Sequence, residues 1–263
     1  MKLEFTKMEG LGNDYIYVDA SRFPLADPAD VSRRLSDRHF GIGADGLVLI
    51  GPSQAADFSM RMYNADGSEG LMCGNAARCI GKYVYEKGLT DKTMIDLDTA
   101  SGVRRLNLHL ASDGTVESVS VGMGSYRILQ RELTLEAAGR RFTGMHVDVG
   151  NPHFVLFVPD AEAEDVAAVG PQLENQVPGG INVEFASVRS GGIRMRVWER
   201  GSGITLACGT GACATAAAAF ELGLNAGACS VLMDGGPLHV SIQDGTILQR
   251  GPASMVFEGS VLI

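Results

Sequence analysis

The chain has 263 residues, 45% hydrophobic and 20% charged, ordinary values for a soluble globular protein. That length suffices for one large core or two of about 130 residues each. A formal charge of −9 argues against a nucleic-acid or anionic-membrane surface as partner. The opening "MKLEFTKMEG" has no apolar signal segment, and no apolar run approaches the roughly 20 residues of a membrane span, so a cytoplasmic protein is expected.

Strand-like alternation opens the chain at "KLEFTKMEG" and continues through "YIYVD". A polar, helix-like segment follows at 28–39, then strands at 47–51 and 58–63. Between them, "GIGADG" at 41–46 matches the G-x-G-x-x-G of dinucleotide sites. That fingerprint must follow a strand and open a helix, and here the order is reversed, so the stretch reads as a turn. A helix starts after Cys73 in "LMCGNAARC", and a β-rich stretch with the hairpin signal "SDG" at 112–114 comes next.

The succession then begins again. "GMHVDVG" and "FVLFV" lead to a helix-like segment at 161–176, strands at 183–188 and 193–198, and a helix after Cys208 in "LACGTGAC". The stretch "GACATAAAAFELG" shows no polar stripe before Glu221 and ends at Gly223, a C-cap signal. A helix apolar all round is buried all round. Another hairpin signal, "QDG", follows at 243–245.

The repetition is visible residue by residue. Leu71, Cys73, Gly74, Ala77, Glu86, Gly88 and Leu89 meet Leu206, Cys208, Gly209, Ala212, Glu221, Gly223 and Leu224 without a gap. "MRMYN" meets "MRVWE" at the same offset of about 135 residues, far too long for a solenoid. The expected fold is therefore α+β: two pseudo-symmetric α/β domains, each a curved mixed or antiparallel sheet around a central helix. The expected division is 1–118, joined by a final strand at about 255–263, and 119–254.

Five cysteines in a chain this long do not make a disulfide scaffold. Cys79, Cys213 and Cys229 read as small core residues. Cys73 and Cys208 are different, because each stands at the mouth of a helix, where unpaired N–H groups and the positive dipole end lower a thiol pKa. The glycine after each lets a carboxylate approach those N–H groups. Two such turns facing each other across one ligand would suit inversion of a stereocentre, with a thiolate taking a proton from one face and a thiol delivering one to the other. The spacings Cys-x5-Cys and Cys-x4-Cys lack the short zinc knuckle, so no metal is expected, and nothing marks a cofactor site.

Taken in order, "GNDY", "GIGADG", "YNADGS", "MCGNAARC", "GNPH", "GINVEF", "WERGSG" and "ACGTGACA" resemble the diaminopimelate epimerase family along nearly the whole chain. The resemblance implies an isomerase independent of pyridoxal phosphate, interconverting LL- and meso-diaminopimelate for lysine and peptidoglycan precursors, with its active site in the cleft between two domains. It implies Cys73 and Cys208 as the acid–base pair. Gly74 with Asn75, and Gly209 with Thr210, match the donors to the reacting carboxylate. Asn13, Asn64, Asn151, Asn182, Glu199 and Arg200 match substrate-binding positions, and His153 and Glu199 match residues that tune the thiols. It also implies a homodimer through the last strand, with Phe257 as candidate contact.

The sequence departs from the family at Gly46, where glutamine is common, at Ala76, where glycine is common, and at Ile204, where an acid is frequent. The rival readings are a proline racemase or hydroxyproline epimerase, against which Asn75 stands where those proteins carry histidine, and a non-catalytic amino-acid-binding or thiol redox protein.

Overall fold

The computed structural model describes all 263 residues, Met1–Ile263. In chain order the elements begin with β1 (Lys2–Gly10), β2 (Asn13–Asp19), α1 (Pro28–Ser36), β3 (Gly46–Gly51), β4 (Phe58–Asn64) and β5 (Glu69–Gly70). Next come α2 (Gly74–Glu86), β6 (Met94–Thr99), β7 (Gly102–Leu110), β8 (Val116–Ser125), β9 (Arg127–Ala137), β10 (Arg140–Asp148) and β11 (Pro152–Phe157). The chain continues with α3 (Val166–Glu174), β12 (Asn182–Arg189), β13 (Gly192–Glu199), β14 (Gly203–Ile204) and α4 (Gly209–Glu221). It finishes with β15 (Ala228–Met233), β16 (Gly236–Gln243), β17 (Thr246–Gly251) and β18 (Ser254–Leu262). Two compact units result: Met1–Val121 with Gly251–Ile263, and Gly122–Arg250.

In the first unit β1 pairs antiparallel with both β18 and β2; β2 and β3 run parallel around the α1 crossover, and β3 pairs antiparallel with β4. β4 then runs parallel to β6 around the α2 crossover, and β6, β7 and β8 form an antiparallel meander. The second unit repeats the scheme. β10 pairs with β9 and β11, β11 runs parallel to β12, and β12 pairs antiparallel with β13. β13 runs parallel to β15, which leads into the β15–β16–β17 meander. This is the mixed-sheet α+β fold read from the repeat.

The helices behind the two cysteines match down to their ends. Gly88 and Gly223 sit at φ +69° and +70°, a left-handed conformation that costs glycine little. The two stops make the same bonds, Gly88 N–H to Tyr85 O and Leu89 N–H to Val84 O, and Gly223 N–H to Phe220 O and Leu224 N–H to Ala219 O, the six-to-one and five-to-two pattern of a Schellman stop. α4 packs on β10, β11, β12, β13, β15 and β16, and its Ala212, Ala214 and Ala216 to Ala219 are buried. Alanine is the strongest helix former and the smallest side chain with a Cβ, so a helix enclosed by strands is built from it.

The remaining helices are shorter than their polar stretches. α1 stops at Ser36 because the Asp37 carboxylate accepts the N–H groups of His39 and Phe40 and starts a turn. The segment at 161–176 breaks into a 3-10 turn, Ala161–Ala163, and α3, because the Asp165 side chain accepts from Ala168 N–H and caps a new start. "GIGADG" is the turn entering β3, with Gly43 at φ +82°. Cys79 and Cys213 are fully buried, whereas Cys229 is only partly so.

Candidate functional site

Cys73 occupies the N-cap of α2 with extended backbone, φ −133° and ψ 123°, and its side chain caps no N–H. Cys208 occupies the N-cap of α4 at φ −118° and ψ 105°. In each helix the N-cap carbonyl takes the first helical bond, from Ala77 and from Ala212, both at 2.9 Å. The N–H groups of Gly74 and Asn75, and of Gly209 and Thr210, lie in the first turn, where the helix has no acceptors to offer them.

In the first unit, the thiol of Cys73 donates to Asn13 Oδ1 at 3.4 Å, and Asn75 Nδ2 donates to the same oxygen at 3.2 Å. Asn13 Nδ2 in turn donates to Asp45 Oδ2 at 2.7 Å, which fixes the amide with its oxygen toward the sulfur. Arg38 holds Asp45 at 3.0 Å and Asp14 at 2.8 Å, and buried Lys7 pairs with Asp14 at 2.6 Å. Burial pushes the Asp14 carboxyl up, but Arg38 and Lys7 outweigh it and hold the group below the usual range. Asn64 makes no side-chain bond to these residues although it pairs with Gly46, next to Asp45; it stands at the β4–β5 hairpin, where its Nδ2 donates to Ser68 Oγ at 2.9 Å. At Gly46 a Cβ would stand 2.0 Å from the Tyr63 carbonyl oxygen, so backbone fills the place of the family's glutamine side chain.

The surroundings of Cys208 are more enclosed. Cys208 is 5% exposed; its sulfur accepts from Gly211 N–H at 3.4 Å and lies 3.6 Å from Thr210 Oγ1. Burial, then the carboxylates of Glu199 and Glu184, push its pKa well above the ordinary thiol value, against the opposing pull of Thr210 and the Gly211 N–H. The helix start alone predicts a lowered value; burial and two nearby acids win at this cysteine. Glu199 is itself pushed up by burial, although Thr205 and Cys208 donate to it.

Behind Cys208 runs a connected series. Glu184 Oε1 lies 2.6 Å from His153 Nδ1, His153 Nε2 lies 3.0 Å from Asn151 Oδ1, and Asn151 Nδ2 donates to Thr210 Oγ1 at 3.3 Å. His153 and Glu184 are fully buried. Sequence reasoning missed Glu184; the available signal was an acid inside the otherwise apolar run "NVEFASV". Asn182 and Arg200 form a separate pair, with Asn182 Oδ1 accepting from the Arg200 backbone N–H at 3.0 Å and Asn182 Nδ2 donating to Pro152 O at 2.8 Å. The Arg200 side chain is exposed and its Nη1 donates to Gly179 O at 2.9 Å.

Thus Cys73, Asn13 and Asn75 form one cluster, and Cys208, Thr210, Asn151, His153 and Glu199 form another. Each offers a sulfur beside a helix start, an arrangement able to hold a carboxylate and move a proton. A separate cavity of about 480 Å³ in the first unit is lined by Lys2, Glu4, Arg22, Lys87 and Glu258 among others, and does not include Cys73.

The fold is shared with known structures. A phenazine biosynthesis protein of the PhzF family from Bacillus anthracis superposes with TM-score 0.78 at 15% identity, covering 100% of both chains. A probable proline racemase from Agrobacterium radiobacter superposes with TM-score 0.73 at 16% identity, covering 99% of this chain and 93% of that one. The class is therefore the duplicated fold common to PhzF-type proteins and proline racemases. Within it, the diaminopimelate epimerase family model matches residues 5–129 and 145–256. The diaminopimelate epimerase of Phocaeicola vulgatus is 53% identical, covering 98% of both chains, and that of Bacteroides thetaiotaomicron is 53% identical over 99% of this chain and 98% of its own. The chain belongs to the diaminopimelate epimerase family.

Proposed function

We propose that this isomerase interconverts LL- and meso-diaminopimelate, in lysine biosynthesis, by a two-base exchange at the α-carbon with Cys73 and Cys208 as the bases. Near-full-length identity of 53% to relatives of that name carries the activity. The matched N-cap positions of the two cysteines support the mechanism.

In one direction the Cys73 thiolate removes the α-proton, so a C–H bond breaks and an S–H bond forms. Cys208 gives its proton to the opposite face of the same carbon and is left as thiolate; the reverse reaction exchanges the roles. Burial and Glu199 keep Cys208 protonated until that moment, which suits a resting acid. The N–H groups of Gly74, Asn75, Gly209 and Thr210 take the α-carboxylate, onto which charge spreads as the proton leaves. The distal amino-acid head falls to Arg200 as a charge and to Asn64, Asn151 and Asn182 as amides, while Asn13 and Glu199 stand beside the two sulfurs. The scheme requires no cofactor or metal. A cytoplasmic homodimer is part of the reading: β18 carries Phe257 at 47% and Val256 at 56% exposure.

The test is incubation of the protein with LL-diaminopimelate in deuterium oxide, read by chiral chromatography and mass spectrometry. The expected outcome is meso product carrying one solvent deuteron at the α-carbon. Turnover of L-proline at a comparable kcat/KM would overturn the assignment in favour of the racemase branch of the fold. L-lysine, which lacks the distal carboxylate, is expected to turn over little or not at all, because Arg200 would have no carboxylate to pair with in the bound complex.

A further inference from the structure

We infer that Glu184 is a positioning residue: through His153 it sets which way the Asn151 amide faces, so that Asn151 Nδ2 and the Thr210 hydroxyl both present hydrogens toward the Cys208 turn. The inference rests on the substrate-binding role proposed for Asn151.

The polarity follows from donors and acceptors alone. Asn151 Oδ1 can only accept, so the His153 Nε2 that lies 3.0 Å from it must carry a hydrogen. The 2.6 Å contact between His153 Nδ1 and Glu184 Oε1 then needs one shared proton, placed on either partner. With its oxygen held, Asn151 turns Nδ2 outward to Thr210 Oγ1 at 3.3 Å. Thr210 has accepted there, so its own hydrogen is free to point to the Cys208 sulfur, 3.6 Å away. Every link donates in the same direction. At this end of the turn an arriving carboxylate would meet the Asn151 amide hydrogens and the Thr210 hydroxyl rather than Asn151 Oδ1.

The placement of Glu184 explains how a buried acid is tolerated. It lies against the first turn of α4, where a Cβ on Gly211 would come within 2.8 Å of Oε1, and helix starts favour negative charge. Its Oε2 is buried without a hydrogen-bond partner. A solitary acid in a core is expensive; here it lies at a helix start and against a histidine that holds Asn151, which in turn bonds Thr210.

The direct test is the protonation pattern of the His153 ring in ligand-free, nitrogen-15-labelled protein, read from long-range proton–nitrogen couplings. A hydrogen on Nε2 is expected; a neutral ring protonated on Nδ1 alone overturns the inference. Kinetics with LL-diaminopimelate give a second arm. Glu184→Gln can donate its amide hydrogen to Nδ1 and keep Nε2–H, so KM is expected within about threefold of the parent, whereas Glu184→Leu should raise KM about tenfold or more with a smaller change in kcat. Equal KM values in the two variants overturn it. If Glu184→Leu does not fold, the ring measurement on the parent decides alone. A parent that shows the expected ring but does not turn over diaminopimelate would remove the proposed function and leave the hydrogen-bond polarity standing.

Discussion

Sulfur is a weak hydrogen-bond acceptor, and a helix start ordinarily prefers Ser, Thr, Asp or Asn at its N-cap, by about 0.5–2 kcal/mol over residues that cannot cap. Placing cysteine there twice, at Cys73, whose side chain caps no N–H, and at Cys208, whose weakly accepting sulfur takes the Gly211 N–H at 3.4 Å, gives up stability that serine would supply. Cys73→Ser and Cys208→Ser are therefore expected to melt no lower than the parent yet to lose epimerisation by about 10²–10⁴-fold or more, since an alcohol is far too weak an acid for the exchange. Parent-like turnover in either variant would end the two-base scheme. Cys79 is the control: it is fully buried, and burial pushes its thiol up to about 12, so Cys79→Ala should keep most activity. The environment of Cys208 gives a pH prediction. Burial comes first and the Glu199 carboxylate second in raising its pKa, and Glu199 is ionised by the pH at which such a thiol titrates. Glu199→Gln should therefore move the alkylation of Cys208 by iodoacetamide, followed by peptide mass mapping, to lower pH. An unmoved midpoint would show that burial and Glu184 suffice without Glu199. Both cysteines were legible in the sequence because the duplication placed them; the raised thiol was not, because the acids responsible stand on β12 and β13, and only the folding of those strands against the start of α4 brings their carboxylates beside the sulfur.

At the level of elements, the start of α4 is tightly constrained. Gly211 lies in the first turn, and alanine there would ordinarily gain up to about 1 kcal/mol of helix propensity. Its Cβ, however, would stand 2.8 Å from Glu184 Oε1 and 3.2 Å from Cys208 Sγ. Neither atom sits at the end of a mobile side chain: Glu184 is pinned by His153 and Cys208 by the cap. Gly211→Ala is expected to cost about 1–3 kcal/mol in thermal or denaturant unfolding and to impair turnover, the sign opposite to propensity. A stabilised, active variant would mean that the first turn is looser than it stands here. The same packing explains what the sequence concealed. In "NVEFASV", Val183 and Phe185 point into the core shared with α3, so alternation assigns Glu184 to an outer face. That face is covered by α4, whose Ala219 packs with Ala186, and no local pattern reveals a second covering layer. By contrast, the strands, the turn at "GIGADG" and the Gly223 stop follow from periodicity and glycine chemistry within a few residues, and all were readable locally.

At the scale of the whole molecule, the last strand returns from the second unit to complete the first. β18 pairs with β1 from Lys2↔Leu262 to Glu9↔Ser254, with a register shift between Lys7 and Met8. It thereby gives β1 the antiparallel neighbour that β9 gives β10 in the second unit. Its apolar residues come in runs, Met255 to Phe257 and Val261 with Leu262, and several reach the surface: Val256 is 56% exposed, Phe257 47% and Leu262 79%. Phe257 is partly engaged, its ring lying edge-on to Phe5 with centroids 5.8 Å apart, so it both braces β1 and presents apolar area outward. Burying what remains of a phenylalanine is worth about 1–2 kcal/mol per chain, and a symmetric pair counts the residue twice. If the proposed homodimer forms through β18, Phe257→Ala should raise the dimer dissociation constant by about 10²-fold while leaving the secondary structure unchanged. Light scattering across a dilution series, with circular dichroism as the control, measures this. A monomer for both the parent and Phe257→Ala throughout the series would remove the dimer, and an unshifted dimer in the variant would place the interface on another surface.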